Sequence, residues 1–325
     1  MHEPGFVVER HLTPEDMQKA LELDATLGLS TQPRSIPSKW FYDEKGSQLF
    51  DEITRLDEYY LTRAEKQILQ AHAADIVRLT GADTIVELGS GTSEKSAIIL
   101  DAFSHAGRLE RFIPLDVDEV TLTAAATSIM SRYEGVSVTA VVGDFERNLG
   151  DLPVEGRRMI AFIGSTIGNL DPTQRKQFLA ALTSNMRSGD SFLLGTDLVK
   201  DPAVLDAAYN DSKGITAMFN RNILEVINAR LAGDFVPRCF EHVAFYDEAN
   251  EWIEMRLRSV GRQRVTLHKV DLVFDVEEGE EIRTEISTKF RREGVEDELG
   301  SVGSKQQAWW TDDAGSFALS LWTKP

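Results

Sequence analysis

Between residues 64 and 199 the chain alternates short apolar runs with amphipathic runs, and this alternation restricts the fold more than any other feature. The pattern predicts helix 64–80, strand 84–88, helix 94–105, strand 111–116, helix 119–132 and strand 137–143. Strand 158–164, helix 172–187 and strand 191–198 complete the series. Asp171 and Pro172 supply a cap and a first-turn proline for the last helix. The strands are rich in Val, Ile, Leu and Phe with little polar alternation, as expected where helices cover both faces of a sheet. This predicts an α/β fold with a doubly wound parallel sheet. Its ligands belong outside the C-terminal ends of the strands.

One of these strand ends carries a glycine turn. Thr84-Ile-Val-Glu-Leu-Gly-Ser-Gly-Thr-Ser-Glu-Lys95 reads as strand, tight turn and helix start. Gly89 and Gly91 let backbone approach a ligand closely and adopt positive φ. The third glycine of the dinucleotide fingerprint is absent, because Glu94 stands there. With Glu87 before the turn and Asp116 ending the next apolar run, the pattern favours S-adenosylmethionine over a dinucleotide.

The formal charge of −18 argues against phosphate neutralisation on nucleic acid and against anionic membrane surfaces. A small-molecule substrate fits better. The single cysteine, Cys239, excludes an intramolecular disulfide and a cysteine zinc cluster, and no metal is expected. The first residues lack a basic segment followed by an apolar core, and no apolar run approaches the roughly 20 residues that span a bilayer. A cytoplasmic, monomeric protein is the expectation.

The flanking regions differ. Residues 1–63 carry many turn formers, including Gln32-Pro-Arg-Ser-Ile-Pro37, and few long periodic segments. Residues 200–235 read as helices. Phe240–Tyr246 and Trp252–Arg258 read as a hairpin around Asp247-Glu-Ala-Asn250. Val265–Val276 and Ile282–Lys289 read as two more strands joined by Glu277-Glu-Gly-Glu280. Residues 293–304 read as a short helix. Ala308-Trp-Trp310 and Phe317–Trp322 flank a turn signal, Asp312-Asp-Ala-Gly315. A closing antiparallel hairpin on a parallel sheet is the usual ending of Rossmann-like S-adenosylmethionine-dependent methyltransferases. The expected division is therefore 64–199 plus 289–325 for a cofactor domain, and 1–63 plus 200–288 for a smaller α+β substrate domain.

Candidate contacts lie at successive strand ends. Asp116 can accept both hydroxyls of a ribose. Asp144 can accept from an adenine amino group, and Phe145 can offer an apolar edge or a backbone amide to the ring. Lys95 can reach a carboxylate. Each acid alone reads equally well as a helix cap or a solvated strand end; together at successive strand ends they favour a nucleoside. Phe162-Ile-Gly-Ser-Thr-Ile-Gly-Asn169 ends another strand, and Asn169 offers both donor and acceptor. As a bare pattern it is also an ordinary glycine-rich turn. Glu285 and Ser287, two apart on a predicted strand, share one face and suit the N–H of an imidazole or amide. A solvated strand face is the plainer reading of that pair. Met255 reads as core, and Tyr59, Tyr60 and Tyr209 as aromatic packing or pocket lining.

Longer strings sharpen the choice. Lys39-Trp-Phe-Tyr-Asp43, Leu49-Phe-Asp51, Glu58-Tyr-Tyr60, Val86–Lys95, Gly164-Ser-Thr-Ile-Gly-Asn-Leu170, Leu194–Asp201, Phe219-Asn-Arg-Asn222 and Trp309-Trp-Thr-Asp312 are unusual outside any generic cofactor motif. Through them the chain resembles the L-histidine Nα-methyltransferases of ergothioneine biosynthesis, over nearly all of its length from about residue 30. The resemblance implies trimethylation of the α-amine of L-histidine to hercynine, with S-adenosylmethionine as methyl donor. It implies cofactor contacts at Gly89, Lys95, Asp116, Asp144 and Phe145. It implies histidine contacts at Tyr59, Asn169, Tyr209, Glu285 and Ser287. Asn169 and Tyr209 would hold the backbone end, and Glu285 with Ser287 the imidazole. Met255 would line the imidazole pocket, and Tyr42 and Phe50 would wall the amine. Asn169, Tyr42 and Tyr209 are then the residues nearest the chemistry. The family usually has a proline after its paired tyrosines, where Leu61 stands here. Methyl transfer to another amino acid or to a protein N-terminus, and a binding protein that keeps the fold without the activity, are the alternatives.

Overall fold

A computed structural model describes residues 5–91 and 95–325 and divides the chain into two compact units. The first comprises residues up to Thr13, Leu61–Leu198 and Phe290–Pro325; the second comprises Pro14–Tyr60 and Val199–Lys289. Glu94 lies outside the described residues.

Among the described residues, the first unit is built on one eight-stranded sheet. Its order is Phe6–Arg10, Ser137–Val142, Arg111–Asp116, Thr84–Leu88, Arg158–Phe162, Ser191–Asp197, Phe317–Thr323 and Lys305–Thr311. Pairing is parallel as far as Ser191–Asp197 and antiparallel for the last two strands. Thr84–Leu88 is therefore flanked by its successor Arg111–Asp116 on one side and by Arg158–Phe162 on the other. This reversal is a topological switch point, where ligands of such sheets bind. The fold is the α/β, Rossmann-like doubly wound sheet expected from the alternation. Thr84–Leu88, Arg158–Phe162 and Ser191–Asp197 are buried at every residue, which explains their lack of polar alternation. One face of the core gathers Val86, Ile113, Phe162, Phe178, Leu194 and Trp322.

The first strand departs from expectation. Residues 1–63 read as part of the second region, yet Phe6–Arg10 pairs in parallel with Ser137–Val142 at the edge of the large sheet. It is held through its backbone, with His11 N donating to Val142 O at 2.9 Å, and by Arg10 Nη2 on Glu119 at 2.5 Å. Its side chains are at most half-buried. A strand attached this way leaves almost no hydrophobic signature.

In the second unit a four-stranded sheet runs Arg34–Ser35, Glu281–Thr288, Trp252–Ser259 and Phe240–Asp247. Helices Pro14–Ser30, Glu44–Ile53, Pro202–Tyr209 and Ile215–Leu231 belong with it. Pro14–Ser30 is a long helix in a stretch read as irregular; it buries Leu21, Ala25 and Leu29 at a spacing of four. Val265–Val276 is not one strand. It is a hairpin, Gln263–Leu267 against Leu272–Val276, turned at Asp271 with φ of 49°. The polar His268, Lys269 and Asp271 interrupt what looked like a continuous apolar run. Glu281–Thr288 accordingly pairs with Trp252–Ser259 and Arg34–Ser35, not with the segment before it.

Candidate active site

At the C-terminal ends of the first unit's strands, backbone bonds lace three loops together. Gly89 N donates to Leu115 O at 2.9 Å, and Gly143 N donates to Asp116 O at 3.0 Å. Asp116 Oδ2 accepts from Gly91 N at 2.9 Å, and its Oδ1 accepts from Asp118 N at 3.0 Å. Burial pushes the Asp116 carboxyl upward, against the pull of these two amides. Gly89 and Gly91 have φ of 67° and 49°, and a β-carbon placed on either meets nothing within 4 Å. The turn thus combines left-handed backbone with open space in front of it, beside a half-buried carboxylate. These features fit a nucleoside-bearing cofactor.

Behind the turn, Glu87 accepts from Ser90 Oγ at 2.9 Å and from Ser96 Oγ. Burial raises its carboxyl to about 7, while the two serine hydroxyls pull the other way. Glu87 therefore ties Ser90, inside the glycine turn, to Ser96 at the start of the following helix and acts as a strut. Asp144 caps its own turn through Glu146 N at 2.9 Å. Phe145 packs at 5.0 Å from Phe162 and 5.9 Å from Phe178, ring centroid to ring centroid. Asn169 is half-buried at the end of the 3-10 turn Thr166–Asn169.

Lys95 is not simply poised for a ligand. Its Nζ donates to Glu65 Oε2 at 2.6 Å, and Glu65 Oε1 accepts from Gly164 N at 2.7 Å. Glu65 is fully buried, and a β-carbon on Gly195 would lie 2.4 Å from its Oε1. One carboxylate thus aims Lys95 and pins the loop that leads to Asn169. No local pattern announces this, because Glu65 lies within an ordinary helix, Leu61–Thr80. Leu61, standing at the usual proline position, opens that helix and is buried. Glu65→Gln should lower stability by about 2–3 kcal/mol, somewhat less than breaking a fully buried ion pair because Lys95 keeps some solvent. Urea unfolding of the variant beside the parent measures this, and an unchanged midpoint would remove the strut from the account.

In the second unit a chain of rings connects Tyr42, Phe50, Tyr59 and Tyr209. Centroid distances are 5.6 Å for Tyr42–Phe50, 6.3 Å for Phe50–Tyr59 and 6.5 Å for Tyr59–Tyr209, all edge-to-face. Phe219, not anticipated as a wall, joins Tyr42 at 5.7 Å and Phe50 at 5.9 Å. Tyr209 Oη donates to Ser287 Oγ at 2.9 Å. Glu285 lies two residues earlier on the same strand and faces Met255 in the cross-strand register. Burial raises the Glu285 carboxyl to about 7, with the Lys289 ammonium pulling it down. Sequence reasoning passed over Lys289, which is buried and donates to both Tyr209 Oη and Ser287 Oγ, at 3.0 and 2.9 Å.

A polar relay fixes Tyr209 from behind. His242 Nε2 donates to Tyr209 O at 2.9 Å, and His242 Nδ1 accepts from Asn220 Nδ2 at 2.8 Å. Asn220 Oδ1 accepts from Thr284 Oγ1 at 2.6 Å, next to Glu285 on its strand. These partners call for a neutral imidazole, and burial lowers the His242 pKa accordingly. In the same helix, Asn222 Nδ2 donates to Asp43 Oδ1 at 2.7 Å, and Asp43 caps the helix that carries Phe50. The string Phe219–Asn222 is therefore a hub of wall, relay and cap.

Residues 21–324 match the family described as histidine-specific, S-adenosylmethionine-dependent methyltransferases. This chain belongs to that family. A histidine N-alpha-methyltransferase of Mycobacterium tuberculosis is 54% identical over 317 residues, covering 98% of this chain and 99% of its own length. The histidine N-alpha-methyltransferase of Mycolicibacterium smegmatis is 51% identical, covering 96% and 97%. Ergothioneine biosynthesis protein 1 of Schizosaccharomyces pombe is 34% identical over 66% of this chain and 29% of its own length. The chain is an S-adenosylmethionine-dependent histidine methyltransferase. Among its described residues no helix is long and apolar enough to cross a membrane.

Proposed function

We propose that this methyltransferase carries out three successive methyl transfers to the α-amine of L-histidine, giving the betaine hercynine, the first step of ergothioneine biosynthesis. The observation that best supports the choice of substrate is Glu285. It is an acceptor-only carboxylate set beside the Ser287 hydroxyl and opposite Met255, and its partial burial calls for a ligand that can donate to it. An imidazole N–H meets that demand.

When bound, S-adenosylmethionine supplies an electrophilic methyl group. Asp116 would hold its ribose hydroxyls, Asp144 its adenine amino group and Phe145 the ring. Gly89 gives the backbone close approach, and Lys95, aimed by Glu65, faces its carboxylate. Asn169 and Tyr209 hold the backbone end of histidine and orient its amine. Tyr42 and Phe50 present aromatic rings that stabilise an ammonium gaining methyl groups. The amine reacts only after losing its proton, which leaves to solvent or a tyrosine-bound water. Incubating the pure protein with S-adenosylmethionine and each amino acid in turn, then reading masses, tests this directly. Histidine should gain three methyl groups; a different amino acid preferred over it would overturn the reading.

Asn169→Ala should raise the Michaelis constant for histidine about tenfold, the effect of one lost hydrogen bond in a desolvated site, and leave cofactor affinity unchanged. Steady-state kinetics and calorimetry measure the two quantities. A fall in cofactor affinity with histidine binding intact would mean that the sites are reversed.

Acidity adds a further expectation. Glu285 titrates near 7 and accepts from imidazole as the carboxylate, so kcat/KM for histidine should rise as pH climbs through about 7 and fall below it. Deprotonation of the substrate amine pushes the same way at more alkaline pH. Glu285→Gln should erase the limb near 7 and keep the alkaline one. A wild-type profile that is flat across neutrality would contradict the assignment.

A further inference from the structure

Lysine is almost never fully buried unless its ammonium is held by partners, and Lys289 is 1% exposed. Its ammonium sits 4.7 Å from the centroid of the Tyr209 ring and donates to two hydroxyl oxygens, Tyr209 Oη and Ser287 Oγ. Those two oxygens are bonded to each other, so the three groups form a closed triangle. The triangle has a consequence for what Ser287 can do next.

A serine hydroxyl has two lone pairs and one proton. In this arrangement the Tyr209 hydroxyl fills one lone pair of Ser287 and the Lys289 ammonium fills the other. Ser287 has only its proton left to offer. Whichever hydroxyl donates across the Tyr209–Ser287 bond, donation by the ammonium to both oxygens leaves the pair a single outward proton. Here that proton is on Ser287. Two residues back on the same strand face stands Glu285, which as a carboxylate only accepts. The strand therefore presents one group that only accepts and one that only donates.

A neutral imidazole carries one N–H and one bare nitrogen. It matches this pair on both counts. An indole or a pyrrole has the N–H but no bare nitrogen, and an imidazolium has two N–H groups and no acceptor. Resting on the reading that the side chain of histidine meets this strand, we propose that Lys289 is a positioning residue that determines specificity. By occupying the second lone pair of Ser287, it commits that hydroxyl to donating. The Glu285–Ser287 pair then reads the donor and the acceptor of a neutral imidazole together.

The test compares L-histidine with β-(pyrrol-2-yl)-L-alanine, which keeps a ring N–H and lacks the bare nitrogen. Affinity for each is measured by calorimetry with S-adenosylhomocysteine present, and kcat/KM by methyl transfer. The parent enzyme should prefer histidine by about tenfold or more, the effect of one additional hydrogen bond in a desolvated site. Lys289→Met and Ser287→Ala should each remove most of that preference, and the double variant should remove no more than either alone. Lys289→Gln, which retains an N–H donor without the charge, should keep part of it. Ser287→Ala trims one hydroxyl and carries the comparison if Lys289→Met does not fold. Equal losses on both ligands in Lys289→Met, with their ratio unchanged, would reduce Lys289 to a structural role and overturn the proposal. So would a Gln variant indistinguishable from Met. A parent enzyme with no preference for histidine over the pyrrole would also overturn the proposal, whereas a parent enzyme that methylates neither would overturn the substrate reading itself.

Discussion

Glu285→Ala should bring the preference for histidine over tryptophan down from the order of 10⁴ towards the roughly 10–200-fold that pocket size alone supplies. The carboxylate contributes in two ways. On the proposed reading it accepts from the imidazole, and it penalises an indole, which cannot meet the demands of the whole polar wall around the charge. Removing it lowers the reward for the right ligand and the penalty for the wrong one at once. Met255 lies directly across the strand pair from Glu285. Trimming it to valine opens volume on the same wall, so the double variant Glu285→Ala, Met255→Val should turn over tryptophan better than either single variant. Met255→Val alone should change the ratio far less, because it leaves the charge in place. Steady-state kcat/KM for both amino acids across the three variants measures this. A histidine-to-tryptophan ratio that does not move in Glu285→Ala would show that the imidazole is read elsewhere.

Asp116→Ala should weaken S-adenosylmethionine binding by about 10- to 100-fold. A charge-assisted hydrogen bond is worth about 1.5–3 kcal/mol, and each 1.4 kcal/mol is a factor of ten. Asp116 also accepts from Gly91 N, so its loss releases the glycine turn as well as the ribose contact. Asp116→Asn separates the two effects. It retains an oxygen for the Gly91 amide but lacks the charge, and should lie between parent and alanine variant. Calorimetry decides: parent-like affinity in the alanine variant would remove Asp116 from the cofactor site.

The parallel core was legible because its strands are buried on both faces and leave continuous apolar runs. Phe6–Arg10 was not, since it is attached by backbone bonds at a sheet edge and its side chains carry little of the burial. The helix Pro14–Ser30 did carry signals, with Pro14 at its start and acids in its first turn, but the turn formers downstream obscured them. Of the candidate site, the carboxylates at strand ends and the Glu285–Ser287 spacing could be read from local pattern. Glu65, His242 and Lys289 could not. Their roles arise from partners far along the chain: Gly164 for Glu65, Asn220 for His242, and Tyr209 for Lys289. In sequence a lysine after a strand reads as a solvated end, and only packing reveals that this one is buried.

The order of the large sheet bears on how the chain matures during synthesis. Ser191–Asp197, buried at every residue, pairs on its outer side with Phe317–Thr323, which lies far downstream in the chain and is made long after it. Until that segment emerges from the ribosome, a strand that buries Phe192, Leu193 and Leu194 in the finished fold has its outer edge uncovered. Exposed edges of this kind are prone to intermolecular pairing. The hairpin of residues 305–323 therefore acts as a late seal, and a chain stopped before Lys305 would carry the glycine turn and its carboxylates while displaying an aggregation-prone edge.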